Sequence, residues 1–302
     1  MIERILITGA TGFIGRHVLR HVRQAGYEVE AISRRGGSVD GTEVHSLDLA
    51  DDTRVQQWVA SRKFAAILHL ASDIPDNVHG PSGERALGIN LASTHNMLRL
   101  ARDQRCLFVY TSSSSIYGLL AARTAPVTEA EPPNPQNLYS FSKYAGEILC
   151  RQFAEQHGIS CSILRVSAPY GPGANRRTVI NLFLESALRA GEITLLGTGA
   201  RSQDFTFVDD VARAIILAME HKITGTFNIA GGSPVSMRQL AEEVLRAVPS
   251  SASAIRCLDR ADPEENSRPW YAIDRARDEL GWTPRIDLAE GLRRTAASLC
   301  EE

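Results

Sequence analysis

Tyr139 and Lys143 form Y-x-x-x-K, a spacing that puts a phenol and an ammonium on one face of a helix. A phenol with its ordinary pKa of about 10 is a poor base at neutral pH, and bringing it to about 7 takes roughly 4 kcal/mol. A fixed ammonium nearby and an oxidised, positively charged nicotinamide both favour the phenolate. Tyr139 is therefore expected to serve as general acid/base for a carbinol or ketone oxygen. Lys143 is expected to tune it and to hold the nicotinamide ribose. The run Thr111-Ser112-Ser113-Ser114-Ser115-Ile116-Tyr117-Gly118 adds hydroxyls at the end of a strand, and Ser113 is placed to hydrogen-bond the same substrate oxygen. Y-x-x-x-K also occurs by chance on solvated helices, and small polar residues are usual in turns. A third pattern joins the two.

Thr8-Gly9-Ala10-Thr11-Gly12-Phe13-Ile14-Gly15 follows the apolar run Ile5, Leu6, Ile7 and leads into an amphipathic stretch from Ile14 to Ala25. Strand, glycine turn and helix in that order make a phosphate cradle, because the helix start offers free N–H groups and a positive dipole end. Gly9 allows the tight turn, Gly12 lets the backbone approach a pyrophosphate, and Gly15 lets helix and strand pack closely. Thr11, Phe13 and Ile14 complete the expected contacts. The spacing is G-x-x-G-x-x-G rather than the usual G-x-G-x-x-G.

The tip of the second strand normally carries a carboxylate that binds the ribose hydroxyls of NAD. Here Ser33 stands there, followed by Arg34 and Arg35. A guanidinium can grip a 2′-phosphate, and one charge-assisted hydrogen bond is worth about 1.5–3 kcal/mol, or roughly ten- to hundredfold in affinity. NADP(H) is accordingly favoured over NAD(H). Asp48 and Leu49, ending the third strand, are placed to meet the adenine edge.

Strand-like runs at Arg4–Thr8, Glu28–Ser33, Glu43–Leu47, Ala65–Ala71, Leu107–Ser112 and Ser160–Val166 alternate with helical patterns such as Thr53–Ser61, Glu84–Arg102 and Tyr139–His157. Such alternation predicts an α/β fold, a Rossmann-type doubly wound parallel sheet with ligands at the C-terminal strand ends. After Val166 the rhythm loosens. The expected division is a dinucleotide-binding domain over 1–166, with a returning segment at about 204–229, and a smaller C-terminal substrate-binding lobe over 167–203 and 230–302.

The chain has 302 residues, 43% of them hydrophobic, and a formal net charge of −2. No basic stretch points to nucleic acid, and no apolar run is long enough for a membrane span. The start of the chain runs straight into a core-like strand, so no signal or transit peptide is expected. Five cysteines without C-x-x-C pairing fit reduced thiols in a cytoplasmic protein. His17 and His21, four apart on the first helix, lack an acidic third ligand in sequence and are read as surface residues, so no metal is expected.

With these motifs in order, the chain resembles the extended short-chain dehydrogenases/reductases, specifically the NAD(P)-dependent nucleotide-sugar epimerase/dehydratase group. Further residues carry the resemblance almost end to end. They are His69-Leu70-Ala71-Ser72, Asn90 with Thr94 and Asn96, and Leu164-Arg165 leading to Tyr170-Gly171-Pro172-Gly173. Asp204-Phe205 with Val208-Asp209-Asp210-Val211, Phe227-Asn228 and Leu280-Gly281-Trp282-Thr283-Pro284 continue it. The resemblance implies a Ser113/Tyr139/Lys143 triad, cofactor contacts from Leu70, Ala71, Ser72 and Val166, and a nucleotide-linked sugar as substrate. It also implies hydride transfer at a sugar carbon, commonly C4, and a homodimer through the helices near Glu84–Arg102 and Tyr139–His157.

Three departures bear on activity. The acidic pair that follows the triad hydroxyl in similar 4,6-dehydratases is replaced by Ser114 and Ser115, which argues against dehydration. Ala168 stands where the pattern has Asn, and Gln203 where it has Arg. Diphosphate anchoring is then expected from Arg201, with Arg260 or Arg268 as a second clamp and Ser113 and Ser114 near the sugar. The base and sugar pockets are expected near 173–181 and 197–201. The resulting expectation is a 4-epimerase or a 4-ketoreductase. Alternatives are a reductase of a non-sugar carbonyl, or a non-catalytic NADP(H)-binding regulator.

Overall fold

The computed structural model of the chain describes residues 4–75, 81–122, 124–175, 177–249 and 251–301. Its main sheet takes seven strands from residues 4–166. These are β1 (Arg4–Thr8), β2 (Glu28–Ser33), β3 (Gly37–Val39), β4 (Thr42–Ser46), β5 (Ala66–His69), β6 (Leu107–Ser113) and β7 (Cys161–Val166). A return strand, Gly225–Ile229, comes from the second half, and the order is return strand, β7, β6, β5, β1, β2, β4, β3. All neighbours pair in parallel except β3, which runs antiparallel to β4. From β1 the chain works outward to β4 and β3, then crosses back to β5 on the other side. Thus the ends of β1 and β5 flank the switch point where ligands bind in such sheets.

β3 is an edge strand with no counterpart among the strand-like runs expected from the sequence. It pairs with β4 through Asp40-Gly41, both at positive φ (47° and 74°), the conformation an Asp-Gly hairpin turn requires. The other strands fall within a residue or two of expectation, β5 being shorter at its C-terminal end.

Nine helices are described: α1 (Phe13–Gln24), α2 (Asp52–Val59), α3 (Pro81–Gln104), α4 (Leu138–His157), α5 (Val179–Leu188), α6 (Val208–Glu220), α7 (Met237–Ala247), α8 (Asp274–Leu280) and α9 (Leu288–Glu301). The period-two alternation of strands divides the sheet's core. Ile5 and Ile7 face Val18 and Val22 of α1 and Ile215 of α6, while Leu6 faces the other way, towards Met97 and Leu98 of α3. Each such side chain contributes about 1.5–3 kcal/mol by leaving water. A separate core, with Tyr170, Phe183, Phe207, Leu240 and Leu292, holds α5, α7 and α9 together.

Two placements differ from the sequence reading. Ala276 and Leu280 of α8 and the fully buried Trp282 pack into the α1/α6 side of the sheet, although their segment was expected in the smaller lobe. The Trp282 indole donates to the Asp210 carbonyl at 2.8 Å, which ties that segment to α6. His17 is not a surface residue. It is 4% exposed, with Nδ1 2.7 Å from Asp209 Oδ1 and Nε2 3.0 Å from the Pro172 carbonyl. Its carboxylate partner is 192 residues away, beyond any local pattern. Among the described residues no group of three His, Cys, Asp or Glu is arranged to hold a metal.

Candidate active site

The start of α1 lies at the switch point. Its N-cap, Gly12, makes no side-chain cap, and no acidic residue sits in the first turn, so the terminal N–H groups are left for an anion. The glycines there are fixed by close approach. A Cβ on Gly9, which has φ +72°, would lie 2.7 Å from the Ala71 nitrogen, and one on Gly15 would lie 2.1 Å from the Gly9 oxygen. Thr8 Oγ1 accepts from the Leu70 and Ala71 amides, each at 3.2 Å, which lashes the end of β5 to the end of β1. The Thr8 hydroxyl in turn lies 2.9 Å from Nδ1 of His69. Burial, helped by the Lys143 charge, pushes His69 down to about 3, so its ring is a neutral spacer between Thr8 and Thr94.

α4 begins under a reciprocal cap between Asn137 and Ser140, which sets Tyr139 and Lys143 on its first turns, facing the end of β6. Lys143 is 4% exposed and its ammonium donates to the Thr111 carbonyl at 2.9 Å. Burial pushes Lys143 down to about 8. Burial also pushes Tyr139 up to about 12, partly offset by a hydrogen bond with Ser72. The direction is opposite to the lowering expected for a working base, because desolvation of the phenolate outweighs the Ser72 hydrogen bond. One turn further along α4, Glu147 is fully buried. It accepts from Ser112 Oγ at 2.6 Å and from Arg165 at 3.0 and 2.8 Å. This buried ion pair fixes α4 against β6 and β7. Ser113 Oγ lies 2.9 Å from Ser115 Oγ and caps the short turn Ser114–Tyr117.

A cavity of about 420 Å³ opens over these strand ends. Every residue expected at the dinucleotide lines it. From the glycine turn come Gly9, Thr11, Gly12, Phe13, Ile14 and Gly15, and from the ends of β2 and β4 come Ser33, Arg34, Arg35, Asp48 and Leu49. Leu70, Ala71, Ser72, Tyr139, Lys143 and Val166 complete that set, and Ser113 joins them. The uncapped helix end and the glycine cradle fit the diphosphate of a dinucleotide, and Arg34 and Arg35 stand at the rim, Arg34 paired with Asp73. Residues the sequence reading did not assign to the site also line it, among them Asp73, Ile74, Asn90 and Pro169. Asn90 Oδ1 accepts from the Asp73 amide at 2.7 Å, and its amide donates to Ser142 Oγ at 3.0 Å. Asp73 directly follows the His69–Ser72 stretch, and extending that run by one residue would have found it.

The substrate residues fare differently, for none of Ser114, Ala168, Arg201, Arg260 and Arg268 lines the cavity. Ser114 is buried and bonds the Tyr271 phenol. Ala168 shapes the chain between Val166 and Pro169, at φ +33°. Arg201 is paired with Asp262 at 3.3 Å and Glu264 at 2.9 Å. Arg268 donates to the carbonyls of Glu265 and Ser267 at 2.7 and 2.9 Å. Arg260 is exposed, and its carbonyl accepts from Gly197. Within 173–181, Arg176 lies outside the described residues.

The sequence model of the NAD dependent epimerase/dehydratase family matches residues 5–230. The dTDP-glucose 4,6-dehydratase of Neisseria meningitidis is 27% identical, over 97% of this chain and 92% of its own. Among solved structures, the UDP-glucose 4-epimerase of Thermotoga maritima, with UDP-glucose, superposes with a TM-score of 0.88 at 25% identity, covering 99% of both chains. The UDP-glucose 4-epimerase of Thermus thermophilus, in complex with NAD, also gives 0.88 at 25% identity, over 98% of this chain and 99% of that one.

Proposed function

The chain belongs to the NAD dependent epimerase/dehydratase family, and from that premise we propose that it moves a hydride between a nicotinamide dinucleotide and C4 of a nucleotide-linked sugar. The observation that carries this reading is the meeting of Ser113, Tyr139 and Lys143 with the glycine turn in one cavity at the switch point. When bound, the dinucleotide supplies or takes up the hydride. Ser113 holds the sugar oxygen by a hydrogen bond, and Tyr139 passes a proton to or from that oxygen. Lys143, anchored on the Thr111 carbonyl, sets the local charge and holds the ribose.

A protonated Tyr139 is a ready proton donor, which suits reduction of a 4-keto sugar; oxidation needs the phenolate first. Serine at 114 and 115 leaves no carboxylate pair beside the triad hydroxyl for water loss, so the dehydratase outcome is set aside. Two outcomes share the remaining half-reaction. A 4-ketoreductase consumes NADPH and releases the alcohol, whereas a 4-epimerase returns the hydride to the other face of the ring. Incubating the protein with 4-keto and 4-hydroxy nucleotide sugars while following NADPH absorbance separates them. Stoichiometric oxidation marks the reductase, and isomer formation without net redox marks the epimerase. No conversion of either class would overturn the reading.

NADP(H) is the cofactor proposed, on the strength of Ser33, Arg34 and Arg35 at the cavity rim, although the named Thermus relative is in complex with NAD. The substrate lobe is proposed to comprise 167–203 and 230–302, less the stretch around α8 and Trp282. A homodimer through α3 and α4 is proposed from Phe141 and Ile148, seven residues apart on α4 and 47% and 38% exposed; sedimentation at micromolar concentration tests it. The buried, unpaired thiols of Cys106, Cys150 and Cys161 fit the reducing cytoplasm.

A further inference from the structure

Arg34 follows β2 and Asp73 follows β5, and between those strands in the sheet lies β1 with its glycine turn. The two side chains meet nonetheless. Arg34 Nη1 is 3.1 Å from Asp73 Oδ1, so the pair spans the cleft over the end of β1. The Arg34 side chain is 49% exposed and that of Asp73 only 8%. Asp73 has a second cation on its other oxygen, Arg85 Nη2 of α3 at 3.1 Å. Its backbone is pinned by Asn90, which both accepts from the Asp73 amide and donates to its carbonyl. Arg35 lines the same rim, exposed, with no carboxylate partner among the described residues.

We infer that Asp73 is a specificity-determining residue that competes with the cofactor's 2′-phosphate for Arg34. The inference rests on the reading that Arg34 and Arg35 face that phosphate. A dinucleotide lacking the phosphate leaves the Arg34–Asp73 pair in place. One carrying it draws Arg34 off the carboxylate, and Asp73 stays paired with Arg85, so no buried charge is stranded. Arg35 is the standing phosphate ligand and Arg34 the exchangeable one. Asp73 thereby restrains the preference for NADP(H) that two arginines would otherwise give, by holding one of them and by presenting a like charge to the phosphate.

The test is a table of dissociation constants for NADPH and NADH by fluorescence titration of the whole enzyme and its variants. Asp73→Asn keeps the side-chain shape and frees Arg34. It should tighten NADPH by roughly three- to tenfold, the scale of one partly exposed ion pair plus one like-charge contact, and leave NADH unchanged. In the Asp73→Asn/Arg34→Ala double variant most of that gain should vanish. Arg85→Ala, a surface change that leaves Asp73 with Arg34 alone, should weaken NADPH by roughly twofold to threefold and spare NADH. Should Arg34→Ala and Arg35→Ala weaken NADPH alone while Asp73→Asn leaves it untouched, the competition is refuted and the phosphate reading stands. Should both arginine variants shift NADPH and NADH alike, the phosphate reading itself fails and takes the competition with it.

Discussion

The two sides of the cavity were written into the chain by different means. On the dinucleotide side, as proposed, most of the binding would fall to backbone. Glycines at fixed spacing, a bare helix end and strand tips are set by local sequence and strand order, so every residue picked by type and spacing lines the cavity. On the substrate side, recognition would fall to long side chains, and their direction is decided by whichever acid or carbonyl lies in reach. Arg201, the natural candidate for the diphosphate, is turned onto Asp262 and Glu264. Residue type tells which groups can bind an anion; it does not tell which are already occupied.

Tyr139→Phe probes the dinucleotide side most sharply. It removes one oxygen whose partner is Ser72, so the fold should hold. Turnover should drop by about 100- to 10,000-fold, the usual size of a lost acid/base step, measured as kcat on whichever nucleotide sugar is converted. Undiminished turnover would break the assignment. Gly9→Ala is the next largest. At φ +72°, with the new Cβ 2.7 Å from the Ala71 nitrogen, overpacking and the left-handed backbone together should cost about 2–4 kcal/mol. The loss should be visible as a lower Tm and at least tenfold weaker binding of both NADPH and NADH. On the opposite side, Arg201→Ala should leave the substrate KM within about twofold, since what it loses are its ion pairs with Glu264 and the largely buried Asp262 rather than a substrate contact. A large rise in KM would show that Arg201 leaves its carboxylates for the substrate and would narrow the contrast between the two sides.

The pH profile sharpens the contrast at lower amplitude. Lys143, pushed down to about 8 by burial, carries its charge below that pH and loses it above. Tyr139, pushed up to about 12, stays protonated across the range. In the ketone-reducing direction kcat/KM should therefore be flat through neutrality and fall above about pH 8, approaching tenfold per unit. Lys143→Arg, which keeps its charge, should lose that falling limb even at a reduced rate. A limb that persists in the variant would assign the titration elsewhere.

How much of this was legible follows the same division. The sheet, its switch point and the glycine turn are set by local patterns along the chain. β3 was readable as well, from Asp40-Gly41, but three residues give too short an alternation to notice. His17, α8 and Trp282 were not. Each is buried by a partner far away in sequence, Asp209 for His17 and Asp210 for Trp282. Asp73 lies between the two cases, adjacent to a readable motif but given its role by Arg34 across the cleft.

The smallest effect expected tests whether the substrate side retains a place for a side chain it lacks. Ala168 sits at φ +33°, a backbone state that costs a residue with a Cβ about 1 kcal/mol or more and that glycine or asparagine adopts more readily. Ala168→Gly removes that strain but adds freedom to the unfolded chain worth about 0.4–1 kcal/mol, so the two nearly cancel and Tm should move by no more than about 2 °C. Ala168→Asn relieves the same strain without that entropic loss and should raise Tm slightly more than glycine does. It also sets an amide beside Val166 and Pro169, which line the cavity. If Tm rises and the substrate KM falls, the bend at 168 is a preserved socket for a polar contact, and anchoring in the native chain is weaker for want of it. A higher Tm with KM unchanged would mean that the bend serves only to aim Val166 and Pro169 at the cavity.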